Sequence, residues 1–136
     1  MSTSIRIFWL AFILAVPVGA WGFDQAVIDE RLKTYRSQGA GEFSVAWARD
    51  IWDKDQTPGD GKDRTCVSCH GADLTKAGKH AKTGKVIDPL SAATNPDRFT
   101  DAAKIEKWFK RNCEWAWDRL CTPQEKGSFL LYLITQ

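Results

Sequence analysis

Apolar positions along this chain recur at helical intervals and nowhere alternate over a useful length. A near-continuous apolar run at residues 7–16 comes first, and the remaining apolar side chains are gathered into separate groups. Ala26, Val27, Leu32 and Tyr35 predict a helix within residues 23–38, stopped by Gly39-Ala40-Gly41. Phe43, Ala46, Trp47, Ile51 and Trp52 predict a second, broken by Thr57-Pro58-Gly59-Asp60-Gly61. Residues 71–99 are rich in Gly, Lys, Thr, Ser, Asn and Pro, with Leu74, Val86, Ile87, Leu90 and Phe99 as apolar anchors, and read as loop. A loop that long is expected to be functional or wrapped on something.

Two further helices close the chain. Thr100 is placed to cap a helix from Asp101 to about Asn112, with Asp101 in the first turn and Lys110 and Arg111 in the last, as the helix dipole favours. Thr122-Pro123-Gln124-Glu125 offers a cap, a proline at the first helical position and a glutamate three residues after the cap. The stripe Phe129, Leu130, Leu133 and Ile134 follows it. With no strand pattern and no internal repeat, the expected fold class is all-α.

The opening apolar run changes the picture of the compartment. Arg6 precedes it and Val18-Gly19-Ala20 follows, the layout of a secretory signal over residues 1–20, and the run is about half the ~20 residues that a membrane span needs. Residues 21–136 are then a single exported domain, expected in the periplasm, with all four cysteines in oxidising surroundings. The charge balance, 19 basic against 17 acidic side chains, gives no reason to expect nucleic acid as a partner. Seven tryptophans suit either the core of a small domain or the rim of a large flat cofactor.

Cys66-Val67-Ser68-Cys69-His70 is the C-x-x-C-H pattern of haem c attachment. On one helical turn the two sulfurs reach the two vinyl groups and the imidazole reaches the iron, so Cys66 and Cys69 would form thioethers and His70 would be the proximal ligand. A thioredoxin-like dithiol would want a βαβ setting, and a zinc site further ligands at suitable spacing. The helical setting and the export signal favour haem. Cys113 and Cys121 have no histidine after them; a disulfide across the turn between the last two helices and two buried thiols are the alternatives.

The opposite face of the iron is harder to fill. Met1, the one methionine, would leave with the signal, so no thioether remains. His80 follows the attachment motif by ten residues, where the chain first covers the proximal side; it reads either as a ligand or as a solvated residue of the lysine-rich stretch 76–85. Ile105, Trp108, Phe109 and Asn112 fall at i, i+3, i+4 and i+7, which sets an amide on an apolar face. Asn112 could bond backbone at a helix end or aim its carbonyl oxygen at the iron.

The stretches CVSCHGADLTKAGKHAKTGK and NPDRFTDAAKIEKWFKRNCEWAWDRLCTPQEKGSFLLYL resemble the SHP type of class I cytochrome c, a family of oxygen-binding haem proteins. The resemblance runs over residues 66–133 and keeps several motifs in order: the C-x-x-C-H, the TGK loop, PDRFTD, the WxxRNC helix and the CTPxEKG cap. It implies a small class I cytochrome c fold around one covalently attached haem c. It also implies Asn112 as the ligand of ferric iron and a Cys113 to Cys121 disulfide. Small c cytochromes often place a glycine where an early helix crosses the last one; Ala48 stands there in this chain, and residues 76–85 carry one extra residue at or beside His80.

An amide oxygen is a hard, weak-field donor that suits ferric iron better than ferrous. The expectation is therefore an electron-transfer protein whose reduction frees Asn112 and opens a site for a diatomic gas, O2 or NO, with Trp108 and Phe109 shaping the pocket. The resemblance implies a dihaem cytochrome c and a membrane b-type cytochrome as redox partners. No residue marks turnover, since the distal face supplies no acid or base beyond Asn112. The rival expectations are a six-coordinate shuttle using His70 with His80, Lys79 or Lys82, and a gas sensor acting through a partner contact.

Overall fold

The computed structural model describes residues 23–55 and 64–136. The signal over residues 1–20, Met1 and the breaker at residues 57–61 lie outside the described residues. Asp24 starts α1 (Gln25–Ser37) by accepting the N–H groups of Ala26 and Val27, and Gly39, at φ 97°, turns the chain away beyond it. Ser44 caps α2 (Val45–Trp52) through the N–H of Trp47. The attachment motif forms a single turn, α3 (Val67–His70), and α4 (Ala102–Trp117) and α5 (Pro123–Ile134) complete the helices. At the start of α5, Thr122 and Glu125 form the reciprocal capping box that their spacing predicts.

Three expectations need correction. Asp101, not Thr100, caps α4: its carboxylate accepts the Lys104 N–H at 3.0 Å, while the Thr100 hydroxyl donates back to the Asp97 carbonyl. The helix also runs past Asn112 to Trp117 and stops at Asp118 in the left-handed conformation, so Lys110 and Arg111 are mid-helix. The extension follows from burial, because Cys113, Ala116 and Trp117 carry the core face of Ile105 onward past Asn112 by more than one turn. Finally, a short antiparallel hairpin, β1 (Gly78–Lys79) with β2 (Val86–Ile87), interrupts the long loop. Within that loop Leu74 is buried, whereas Val86 is 67% exposed and anchors nothing.

The last helix organises the rest, packing on both α2 and α1. Ala48 is fully buried on α2, and Gly127 of α5 lies under the Phe43 ring, where a Cβ would overlap the ring atoms. The close contact that needs a glycine is therefore between α5 and Phe43, just ahead of α2, while α2 carries an alanine at Ala48. Phe129 gathers Trp47, Trp52 and Trp117 around it at centroid distances of 5.4, 6.3 and 5.8 Å. Those three tryptophans serve the core. A second cluster of Ile28, Leu32, Tyr35, Ile105 and Leu130 joins α1, α4 and α5, and Phe99 and Phe109 touch both clusters.

A polar clamp closes the second cluster. Glu106 accepts the Tyr35 hydroxyl at 2.5 Å and the Lys126 ammonium at 2.8 Å, with the Arg31 guanidinium at 3.4 Å. Burial would raise the carboxyl, but the bonds from Lys126 and Tyr35 and the charges of Lys126 and Arg31 outweigh it and hold Glu106 below the usual 4.5. A carboxylate so depressed contributes stability fully above its unfolded value and loses it as pH falls through the folded one. Glu106→Gln is expected to lower the unfolding free energy by about 1–2 kcal/mol at pH 7. Urea denaturation should show that difference shrinking below pH 4.5.

Candidate functional site

The attachment turn is held from both ends. Thr65 accepts the Ser68 N–H at its start. At its end Gly71, at φ 74°, lets the chain leave directly after His70, and its N–H returns to the Val67 carbonyl. Trp52, the last residue of α2, donates its indole N–H to the Gly71 carbonyl at 3.1 Å and sets its ring 5.9 Å from the His70 imidazole. The turn is thereby fastened to the tryptophan core.

Cys66 and Cys69 are not bonded to one another. Burial pushes the Cys66 thiol up to about 12, the opposite of the depressed thiol that a thioredoxin-like dithiol needs. Among the described residues no three His, Cys, Asp or Glu side chains stand close enough to share a metal ion of the zinc kind. Among the described residues His70 makes no side-chain hydrogen bond, and its Nδ1 is buried without a partner. Burial first, and the Arg98 charge second, lower the imidazole to about 4, so it is neutral and its lone pair is free for a metal. These side chains fit covalent haem: two unpaired sulfurs and one neutral imidazole on one turn.

The long loop closes against this turn. Leu90 and Ser91 donate their N–H groups to the Leu74 carbonyl, and the Ser91 hydroxyl reaches the Gln136 carbonyl at 2.8 Å. Arg98 gathers the Asp88 and Pro89 carbonyls at 2.8 and 3.0 Å. The hairpin touches α3 directly, since a Cβ on Gly78 would collide with the Cys69 carbonyl oxygen and the His70 Cα. Gly78→Ala is therefore expected to push the hairpin off the turn and cost about 1–3 kcal/mol. Urea denaturation of the haem-loaded protein measures the loss.

The α4 stripe divides. Ile105 is buried and Phe109 packs into the core, continuing to Cys113 and Ala116 on one face. Trp108, Asn112 and Trp115 form the adjoining row at i, i+4 and i+7. Trp108 is 45% exposed, with the Arg111 guanidinium 5.1 Å and the Lys107 ammonium 5.9 Å from its ring. Asn112 is exposed within α4, its amide without a hydrogen-bond partner among the described residues, so it does not act as a helix-end cap. The structure joins the next residue, Cys113, to Cys121 by a buried disulfide with a Cα separation of 5.6 Å. Trp115 packs beside that core and offers its carbonyl to Arg64.

His80 stands in the hairpin turn, where its Nδ1 accepts the N–H groups of Lys82 and Thr83, both at 3.2 Å. A neutral imidazole accepting at Nδ1 carries its proton on Nε2 and has no lone pair left for iron. Lys79 and Lys82, the other rival ligands, belong to the same exposed hairpin.

Residues 38–133 match a family described only as a domain of unknown function, DUF1924. The chain is 37% identical over 131 residues to cytochrome c-type protein SHP of Cereibacter sphaeroides, across 96% of this chain and 98% of that protein. Among solved structures it is similar to oxidised SHP, an oxygen-binding cytochrome c, with a TM-score of 0.73 and 38% identity over 80% of this chain and 96% of that one. It is also similar to the solution structure of cytochrome c'' from Methylophilus methylotrophus, which concerns haem-ligand detachment. There the TM-score is 0.70 and the identity 29%, over 83% of this chain and 96% of the other. Both the likeness of sequence and that of fold extend far beyond the attachment turn, and the side chains on that turn suit the group these relatives carry. This chain accordingly belongs to the SHP family of c-type cytochromes, all-α in fold, with one covalently attached haem c.

Proposed function

We propose that this cytochrome works in the periplasm and couples its reduction to the binding of a diatomic gas, O2 or NO, at a position that Asn112 holds in the ferric state and leaves in the ferrous. The observation that carries this reading is Asn112 itself: an exposed amide inside α4 with no bonding partner among the described residues, next to a buried disulfide. Bound haem supplies a redox-active iron with one exchangeable position. His70, neutral and with its Nδ1 unpartnered among the described residues, would be the protein's other ligand to it. The Asn112 carbonyl oxygen is a hard donor and prefers the ferric charge, and on leaving it passes into water without abandoning a buried bond. Trp108, in the same row, borders the position, while Phe109 supports it from the core.

Two relatives support the reading, one described as oxygen-binding and one studied for ligand detachment. On this reading electrons arrive from a dihaem cytochrome c and a membrane b-type cytochrome, as the family resemblance implies. The deciding experiment is the optical spectrum of the ferrous protein with and without carbon monoxide. Uptake of carbon monoxide by a ferrous form that is high-spin beforehand is the expected result. A ferrous form that stays low-spin and refuses the gas overturns the proposal in favour of a permanently six-coordinate shuttle.

A further inference from the structure

The hairpin that lies on the attachment turn ends at a sulfur. From Gly78, wedged against the Cys69 carbonyl, the chain turns back through residues 80–84. His80 donates its N–H to the Lys85 carbonyl and accepts the Gly84 N–H, both at 2.8 Å, and Gly84, at φ 68°, supplies the left-handed step. Inside the turn the Lys82 and Thr83 N–H groups both donate to His80 Nδ1. The remaining amide of the tip, Ala81 N–H, donates to Cys69 Sγ at 3.3 Å. That sulfur is a thiol here and stands in for the thioether of the haem-loaded protein; both carry acceptor lone pairs.

We propose that His80 is a positioning residue for the haem attachment: by accepting two amides of the turn it holds the Ala81 N–H on the Cys69 thioether sulfur. Without an acceptor at this place the Lys82 and Thr83 N–H groups turn to solvent, and nothing inside the turn fixes the direction of the Ala81 N–H beside them. An N–H dipole directed at a sulfur joined to the macrocycle withdraws electron density from it. The ferrous state gains relative to the ferric, much as hydrogen bonds to sulfur tune other iron centres. A histidine in a lysine-rich loop thus acts on the iron through the backbone of its neighbour, without touching it. The role is independent of what Asn112 does.

The test uses the haem-loaded full chain with His80→Ala and His80→Asn, reading amide hydrogen exchange at Ala81, Lys82 and Thr83 together with the reduction potential. The short Asn carbonyl accepts backbone N–H groups in turns, whereas alanine offers nothing. His80→Ala is expected to speed exchange at the three amides roughly tenfold and to lower the potential. His80→Asn should restore both, and the ferric spectrum should be the same in all three proteins. Because the site is a partly exposed turn, neither variant threatens the core. Unchanged Ala81 exchange or an unmoved potential in His80→Ala overturns the proposal, as does a potential that asparagine fails to restore. A ferric spectrum altered by His80→Ala overturns it too, by making His80 an iron ligand.

Discussion

Asn112→Ala is expected to alter the ferric optical and EPR spectra while the haem stays attached through Cys66, Cys69 and His70. It should also raise the affinity of the ferric protein for azide by about tenfold. The first effect follows from replacing an amide oxygen by water or an open position. The second follows from competition: if the amide is preferred over an open position by about 1.4 kcal/mol, its removal returns that factor to any incoming ligand. Stability discriminates this local role from a structural one. Asn112 is exposed and unbonded, so truncation should change the unfolding free energy by no more than about 0.5 kcal/mol. Ferric spectra and azide affinity that match wild type would remove Asn112 from the site.

The larger stability effect belongs to the neighbouring residue. Replacing Cys113 and Cys121 together by alanine opens a loop with a sequence separation of 8, which on the chain-entropy model costs about 2.5 kcal/mol. Both sulfurs are also buried, at 5% and 7% exposure, among Ala116, Trp117 and Phe129, so their removal leaves space in the core as well. Urea denaturation of the haem-loaded protein should show a loss of at least that size. On the proposed reading azide affinity should move in the same direction as in Asn112→Ala, because the bridge would keep the neighbouring amide aimed. A double variant as stable as wild type would contradict the disulfide's assigned part in the fold.

Where chain-local chemistry decides, the sequence was readable. α1 and α2 announce themselves through periodic apolar residues, α5 through its capping box as well, and the attachment turn because its chemistry needs five contiguous positions. The end of α4 was not readable. Lys110, Arg111 and Asn112 look like a terminus, but Ala116 and Trp117 find the core and hold more than one further turn. A single-row shift separated Trp108 from Phe109: four residues share a stripe on paper, yet the core takes only the side centred on Ile105 and Phe109. The hairpin was hidden for another reason. Two-residue strands show no period, and Gly78 is there because of the Cys69 carbonyl, a contact that no local pattern encodes. His80 likewise serves backbone donors, which leave no trace in side-chain patterns.

The clamp at Glu106 has a kinetic consequence. It ties α4 to Tyr35 and Lys126, and two turns later the bridge at Cys113 ties the same helix to Cys121. Asn112 lies between the second of these fastenings and the first, on a stretch of backbone with nowhere to go. On the proposed reading, leaving the iron would need only a rotation about the Asn112 side-chain bonds, which for an exposed residue takes picoseconds to nanoseconds. On that reading no backbone movement would have to intervene between the arrival of an electron and the capture of a gas molecule.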